Sequence, residues 1–287
     1  MISEFRILIR IMDLHDSSTK FEYALAFDPG EVNLGVSLTR LDYEDPSEGS
    51  LSLNRNRSKA KLVKDLGDFS KYKVIWGDVW DLTLNKNFEP GPGGLPFSLN
   101  RLHERLTDEE SPLKRLLNGI EINRFNVGSK TRTLMVLIEM QEGTAPGGIS
   151  GRFDLMRSSA ISSFIYAHHL CRGYDVFYVG KMSRWGYSSI PKDLSAVRKK
   201  RFITVLVERY IKMGNNEKAI SKSVPFVRRN HIMDSILMAM EALRKNRIYR
   251  WMRNNDSGRI TKRIKGQTLG KNLIKVVTRD MKKRRNP

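Results

Sequence analysis

The chain has 287 residues, 40% of them apolar and 9% aromatic, and carries 51 Lys+Arg against 31 Asp+Glu for a net charge of +20. This composition can bury a sizeable core and excludes wholesale disorder, while its apolar runs stop far short of the roughly 18 residues that a membrane span needs. One cysteine, Cys171, rules out an intramolecular disulfide and a four-cysteine zinc site; it reads as a core residue in a reducing compartment, and the positive balance asks for an acidic partner, nucleic acid ahead of an anionic membrane surface.

In chain order, Phe5, Ile7, Ile9 and Ile11 alternate along an opening interrupted by Arg6 and Arg10, so residues 1–20 read as a strand extension rather than a secretory signal. Residues 22–28, 33–40 and 73–80 are β-branched or aromatic with turn formers at their edges, and predict three successive antiparallel strands. Pro29-Gly30 suits a tight turn between the first two. Residues 42–57 are polar and predict a loop; Pro90-Gly-Pro-Gly-Gly-Leu-Pro96 predicts an exposed excursion outside any regular element.

Helical spacing over 99–117, broken near Ser111-Pro112, fits one bent helix or two short ones. There follow a strand at 134–138, a helix over 153–170 after the Gly-rich loop 143–151, and a strand at 175–179. A helix from Pro191 to about Met213 and a last one from Asn230 or His231 to near Asn246 complete the series. This succession makes a mixed five-stranded α/β sheet flanked by helices. Its order resembles the ribonuclease H-like fold, in which the first strand is central and the fourth lies beside it.

One domain over 1–246 is expected, followed by a basic C-terminal extension over 247–287. Residues 244–287 hold 16 Lys+Arg and 2 Asp. With Tyr249 and Trp251 among its arginines, the extension reads as a phosphate-binding arm, against the plainer alternative of a solvated tail whose aromatics dock on the core.

Three carboxylates stand out. Asp28 and Glu139 each close an apolar strand, and Asp234 interrupts Ile232, Met233, Ile236 and Leu237 at the start of an apolar helix. Singly, each is more ordinary: a solvated strand end, or a helix cap facing the dipole. Together they point to a metal site, because buried unpaired acids are costly and hard divalent ions take oxygen ligands. Two such ions, about 3.5–4 Å apart, would activate water and neutralise the leaving oxygen of a phosphodiester. His231 lies three residues before Asp234, hence on the same helix face, as a ligand or a proton donor to the leaving group; a capping or packing role is the ordinary alternative. His168 and His169, helix neighbours expected to point apart, are not assigned a metal.

Asp28-Pro-Gly-x-x-Asn33-x-Gly35, Ile138-Glu139-x-Gln141 and His231-x-x-Asp234-Ser235 resemble the motifs of RuvC-type Holliday-junction resolvases, in particular the poxvirus and fungal mitochondrial branch. The resemblance spans roughly residues 22–245. It implies a ribonuclease H-like homodimer that makes paired nicks in four-way DNA junctions with Mg2+ or Mn2+, two ions per active site, held by Asp28, Glu139 and Asp234. His231 falls where many members have an acid, which is a departure from the family pattern.

Lys181, Arg184 and Trp185, Lys192, Arg198 and Lys199, and Arg152 and Arg157 are the candidate DNA contacts, combining cations with an aromatic platform; a strand-to-helix loop and a solvated helix face are the alternatives. Phe153, Met156, Ile161, Phe164 and Ile165 make the 153–170 helix a candidate dimer face, with core packing the competing explanation. Branched double-stranded DNA is the expected partner, with no membrane. The protein is expected to be intracellular and not secreted, with a viral, phage or organellar source left open. Two other functions stay in view: another ribonuclease H-like nuclease, acting on branched DNA or an RNA/DNA hybrid, and a non-catalytic nucleic-acid packaging protein.

Overall fold

A computed structural model of the chain describes residues 21–30, 32–41, 72–84, 89, 91, 94–126, 134–140, 148–179, 195–213, 219–220 and 229–254. Five strands form one sheet: β1 (Tyr23–Pro29), β2 (Asn33–Leu41), β3 (Tyr72–Asp81), β4 (Leu134–Glu139) and β5 (Asp175–Val179). Their order is β3-β2-β1-β4-β5. β1 pairs antiparallel with β2, and β2 with β3, while β4 runs parallel to β1 and β5 parallel to β4. This is the ribonuclease H-like arrangement expected from the sequence, with β1 central and β4 beside it.

The central strands are apolar almost throughout because helices cover both faces of the sheet. On one face, Leu25 and Phe27 of β1 join Val136 and Ile138 of β4 beneath α1 (Gly94–Thr107), α2 (Pro112–Asn126) and α3 (Gly148–Leu170). On the other, Ala24, Ala26, Met135 and Leu137 meet α4 (Ala196–Met213) and α5 (Arg229–Asn254). The size contrast on β1 matters: small residues on the second face let α5 lie low across the sheet. From Ile232 to Leu243 every residue of α5 but Asp234 is buried, as a helix enclosed between sheet and α4 requires.

The break foreseen at Ser111-Pro112 is real and divides α1 from α2. Ser111 caps α2 through its Oγ, which accepts from the backbone N–H of Lys114 at 3.1 Å, and Pro112 takes the first helical position. Elsewhere the boundaries move. The Pro/Gly excursion ends sooner than expected, because Gly94-Leu-Pro96 already forms the first turn of α1, where proline lacks no hydrogen bond. Helix α3 starts at Gly148, inside the expected Gly-rich loop, and α5 continues to Asn254, past the expected end near Asn246.

Cys171 is exposed in the turn after α3, not in the core as expected; three turn residues, 171–173, carry the chain off the helix before Tyr174 returns to the apolar interior. Ile161 and Ile165 of α3 are fully buried in this chain's own core, whereas Met156 is 64% exposed. The 1–20 extension, the 42–57 loop, Pro191 and the tail from 255 lie outside the described residues. Among the described residues, no helix is long and apolar enough to cross a membrane.

Candidate active site

Asp28 is the penultimate residue of β1 and only 7% exposed. The turn that follows is closed by the Gly30 N–H donating to the carbonyl of Asn33 at 2.9 Å. Side chains alternate along a strand, so Asp28 shares a face with Ala24 and Ala26, the face covered by α5. On β4, Glu139 shares the side of Met135 and Leu137, the same face. Register places the two acids as neighbours, since β1 and β4 run parallel and Phe27 pairs with Ile138 one residue earlier. Adjacent strands lie about 4.8 Å apart, so two carboxylates leave the sheet together at one edge.

The third element arrives by close approach. Gly35 pairs with Asp28 across β1 and β2, and a Cβ there would sit 2.3 Å from the carbonyl oxygen of His231 and 2.5 Å from its carbonyl carbon. A Cβ at Gly30 would lie 3.0 Å from His231 Cε1. These two bare positions admit the first turn of α5 to the sheet edge. There His231 Nδ1 lies 3.2 Å from Asp28 Oδ2; with the proton on Nδ1 the ring donates to the carboxylate, and the contact is an ion pair when the imidazole is protonated on both nitrogens. This pairing joins residues 203 apart in the chain.

Asp234 follows one helical turn after His231 and is half-buried, whereas Ile232, Met233 and Ser235 around it are buried. Asn33, on the same face of β2 as Asp28 and Gly35, has a buried Oδ1 with no hydrogen-bond partner among the described residues. Its sequence signal was its place in the Asp28-to-Gly35 motif, which read as a turn rather than as a polar atom facing the site.

Among the described residues, no group of three or more His, Cys, Asp and Glu side chains is arranged to hold a metal ion. The donor chemistry nevertheless fits a hard cation. Asp28 and Glu139 leave neighbouring strands on one face, the unsatisfied oxygen of Asn33 lies along it, and magnesium is commonly held by one or two carboxylates with water and substrate phosphate completing the shell.

Of the expected DNA contacts, Arg198 is exposed in the first turn of α4 and Arg157 is half-buried on α3. Lys199 lies in α4 and Arg152 in α3, with their side chains outside the description; Lys181, Arg184, Trp185 and Lys192 lie outside the described residues altogether. Helix α3 follows β4 in the chain and α4 follows β5. His168 and His169 do not point apart: their rings lie edge to face, 5.1 Å between centroids.

No protein-family model and no curated protein matches the chain. Among solved structures it is similar to Thermus thermophilus RuvC, at 11% identity over 79% of this chain and 96% of that one, with a TM-score of 0.43. A second similar structure is T. thermophilus RuvC in complex with Holliday junction substrate, at 11% identity, 79% and 96% coverage and a TM-score of 0.39. The yeast mitochondrial Holliday junction resolvase Ydc2 is similar at 14% identity over 86% of this chain and 89% of that one, with a TM-score of 0.45.

Proposed function

We propose that this chain is a divalent-metal-dependent endonuclease that resolves four-way DNA junctions by paired nicking. The observation that supports it best is the meeting of Asp28 with His231 at 3.2 Å, on the face and edge to which β4 also carries Glu139. Acids gathered there in a chain of net charge +20 suit a phosphodiester better than a small neutral substrate. The choice of a four-way junction comes from the three motifs around Asp28, Glu139 and Asp234.

Asp28, Glu139 and Asp234 would hold Mg2+ or Mn2+, two ions per site. When bound, such ions supply an activated water and neutralise charge on the leaving oxygen. His231 holds one oxygen of Asp28 and thereby orients the carboxylate; Arg198, with Arg152, Arg157, Lys199, Lys181, Arg184, Trp185 and Lys192, positions the DNA backbone without reading its sequence. A homodimer suits the reaction, since symmetric scission needs two sites related as the cut strands are.

The test is cleavage of labelled four-way, flap, RNA/DNA hybrid and linear duplex substrates with Mg2+, Mn2+ or chelator. The four-way junction should be cut fastest, and only with metal. Asp28→Asn and Glu139→Gln should each reduce cleavage by about 100-fold or more, because even partners that only support a ligand are worth 10–100-fold, while junction binding persists. Equal rates on linear duplex would exclude junction selectivity, and preference for the hybrid would assign a ribonuclease. No cleavage of any substrate, with salt-sensitive DNA binding unchanged in both variants, would leave only a packaging role.

A further inference from the structure

The face of the sheet opposite the acids holds a second polar concavity. The last turn of α1, the start of α2 and the end of α3 surround a small open crevice. Every charged residue in its lining is a cation, namely Arg105, Lys114 and Arg172; Ser111, His168 and His169 add polar surface above an apolar floor. Tyr174, which immediately precedes β5, closes one side. Glu139 lies at the far end of the parallel β4, so the crevice and the acids occupy different faces and different edges.

The cations are only partly answered by acids. Lys114 pairs with Glu109 at 3.3 Å, which engages one of its three ammonium donors. Asp78, Asp108 and Glu104 act on Arg105 from outside the crevice, yet its Nε is buried without a hydrogen-bond partner among the described residues. Arg172 is exposed at the rim. Burial, and then Arg172, His103 and Lys114, push His168 down to about 4, so positive charge converges on that ring. The crevice lining thus brings together three cations and an idle buried donor and holds no carboxylate of its own, the answering acids standing outside it.

We infer that this crevice binds a phosphate group. The guanidinium groups of Arg105 and Arg172 match tetrahedral oxyanions in planar, two-pronged fashion, and Lys114 adds a mobile point charge. The phosphate belongs either to a small molecule, inorganic phosphate or a mononucleotide, or to a DNA backbone passing over this face. The site stands whether or not the acids cleave DNA.

The test uses the full chain labelled with 13C-histidine and titrated at constant ionic strength with inorganic phosphate, a nucleoside 5′-monophosphate and a duplex oligonucleotide. The His168 resonance should shift saturably, and its titration midpoint should rise by about one unit or more, as a nearby opposite charge produces. Both effects should vanish in a Lys114→Gln, Arg172→Gln double variant with unchanged circular dichroism. Saturation by phosphate or the mononucleotide supports a small ligand, and saturation by the duplex alone supports the DNA backbone. No saturable response to any of the three, or one that survives in the double variant, overturns the site.

Discussion

Gly35 faces Asp28 across β1 and β2, and a methyl group there would meet the main chain of His231, which cannot rotate away as a side chain could. Gly35→Ala should therefore push back the start of α5 and lower cleavage by about 100-fold, the scale set by a misplacement of about 1 Å, with junction binding largely kept. Gly77→Ala is the control. There a Cβ would lie 3.0 Å from a methyl of Ile232, a side chain able to shift, so cleavage should fall much less; equal losses in the two variants would make the effect one of general packing. A second single-residue prediction concerns acid. Burial pushes His169 down to about 3, although its Nδ1–H donates to the Ile165 carbonyl at 2.8 Å. In the unfolded chain an imidazole takes its proton near pH 6.5, so below that value the unfolded state binds the extra proton. Stability is thus complete above about pH 6.5 and declines toward pH 3, by up to about 1.4 kcal/mol per pH unit. His169→Gln should narrow the gap between urea midpoints at pH 7 and pH 5, and an unchanged gap would place the acid sensitivity elsewhere. Asp28 and Glu139 were legible in the sequence because each ends an apolar strand. The parts played by Gly35 and by the buried oxygen of Asn33 were not, since both depend on what packs against them.

Among the elements, α5 carries the most. Sheet and α4 enclose it, and it buries an ion pair: Arg244 donates from Nε and a terminal nitrogen to the two oxygens of Glu241, each at 2.6 Å. Glu241 is 2% exposed. Burial also pushes the adjacent Lys245 down to about 8, with Glu241 opposing that shift. Removing one partner of a buried pair strands the other charge, so Glu241→Gln should destabilise the fold by about 3 kcal/mol. Replacing Glu241 and Arg244 together with Leu should recover most of that stability in urea unfolding; no recovery would mean that the pair contributes more than its mutual neutralisation. The existence of this helix was plain from its apolar run, but its length was not. Beyond Asn246 the sequence turns to Arg247, Tyr249, Arg250 and Trp251, which reads as the start of a tail, whereas the backbone remains helical to Asn254. Helical continuation needs only hydrogen bonds and adequate propensity, not an apolar face. At α1 the misreading ran the other way: Pro and Gly looked like breakers and instead supplied the first turn.

At the scale of the whole molecule, charge is distributed unevenly. Residues 255–287 hold 11 Lys+Arg against 2 Asp. If they act as a phosphate-binding arm, deleting them leaves α5 whole, weakens junction binding and flattens its salt dependence by about 0.9 in log-log slope for each phosphate that the arm had neutralised. Filter-binding or fluorescence titration over a salt series measures this, and an unaltered slope would assign the tail to solubility alone. The crevice between α1, α2 and α3 is separated from the acids by the thickness of the sheet, so the molecule presents two distinct polar regions on one scaffold.

The sequence alone determined the strands, their faces and the overall α/β order, because period-two alternation and apolar runs encode which side of each element is buried. It also singled out Asp28 and Glu139, whose positions at strand ends are local facts. Only the tertiary structure decided that His231 meets Asp28, that Gly35 and Gly30 open the way, and that Arg105, Lys114 and Arg172 share one crevice. Those meetings join distant segments, and the distances between them are set by side-chain volume between packed layers, a quantity that no local pattern contains.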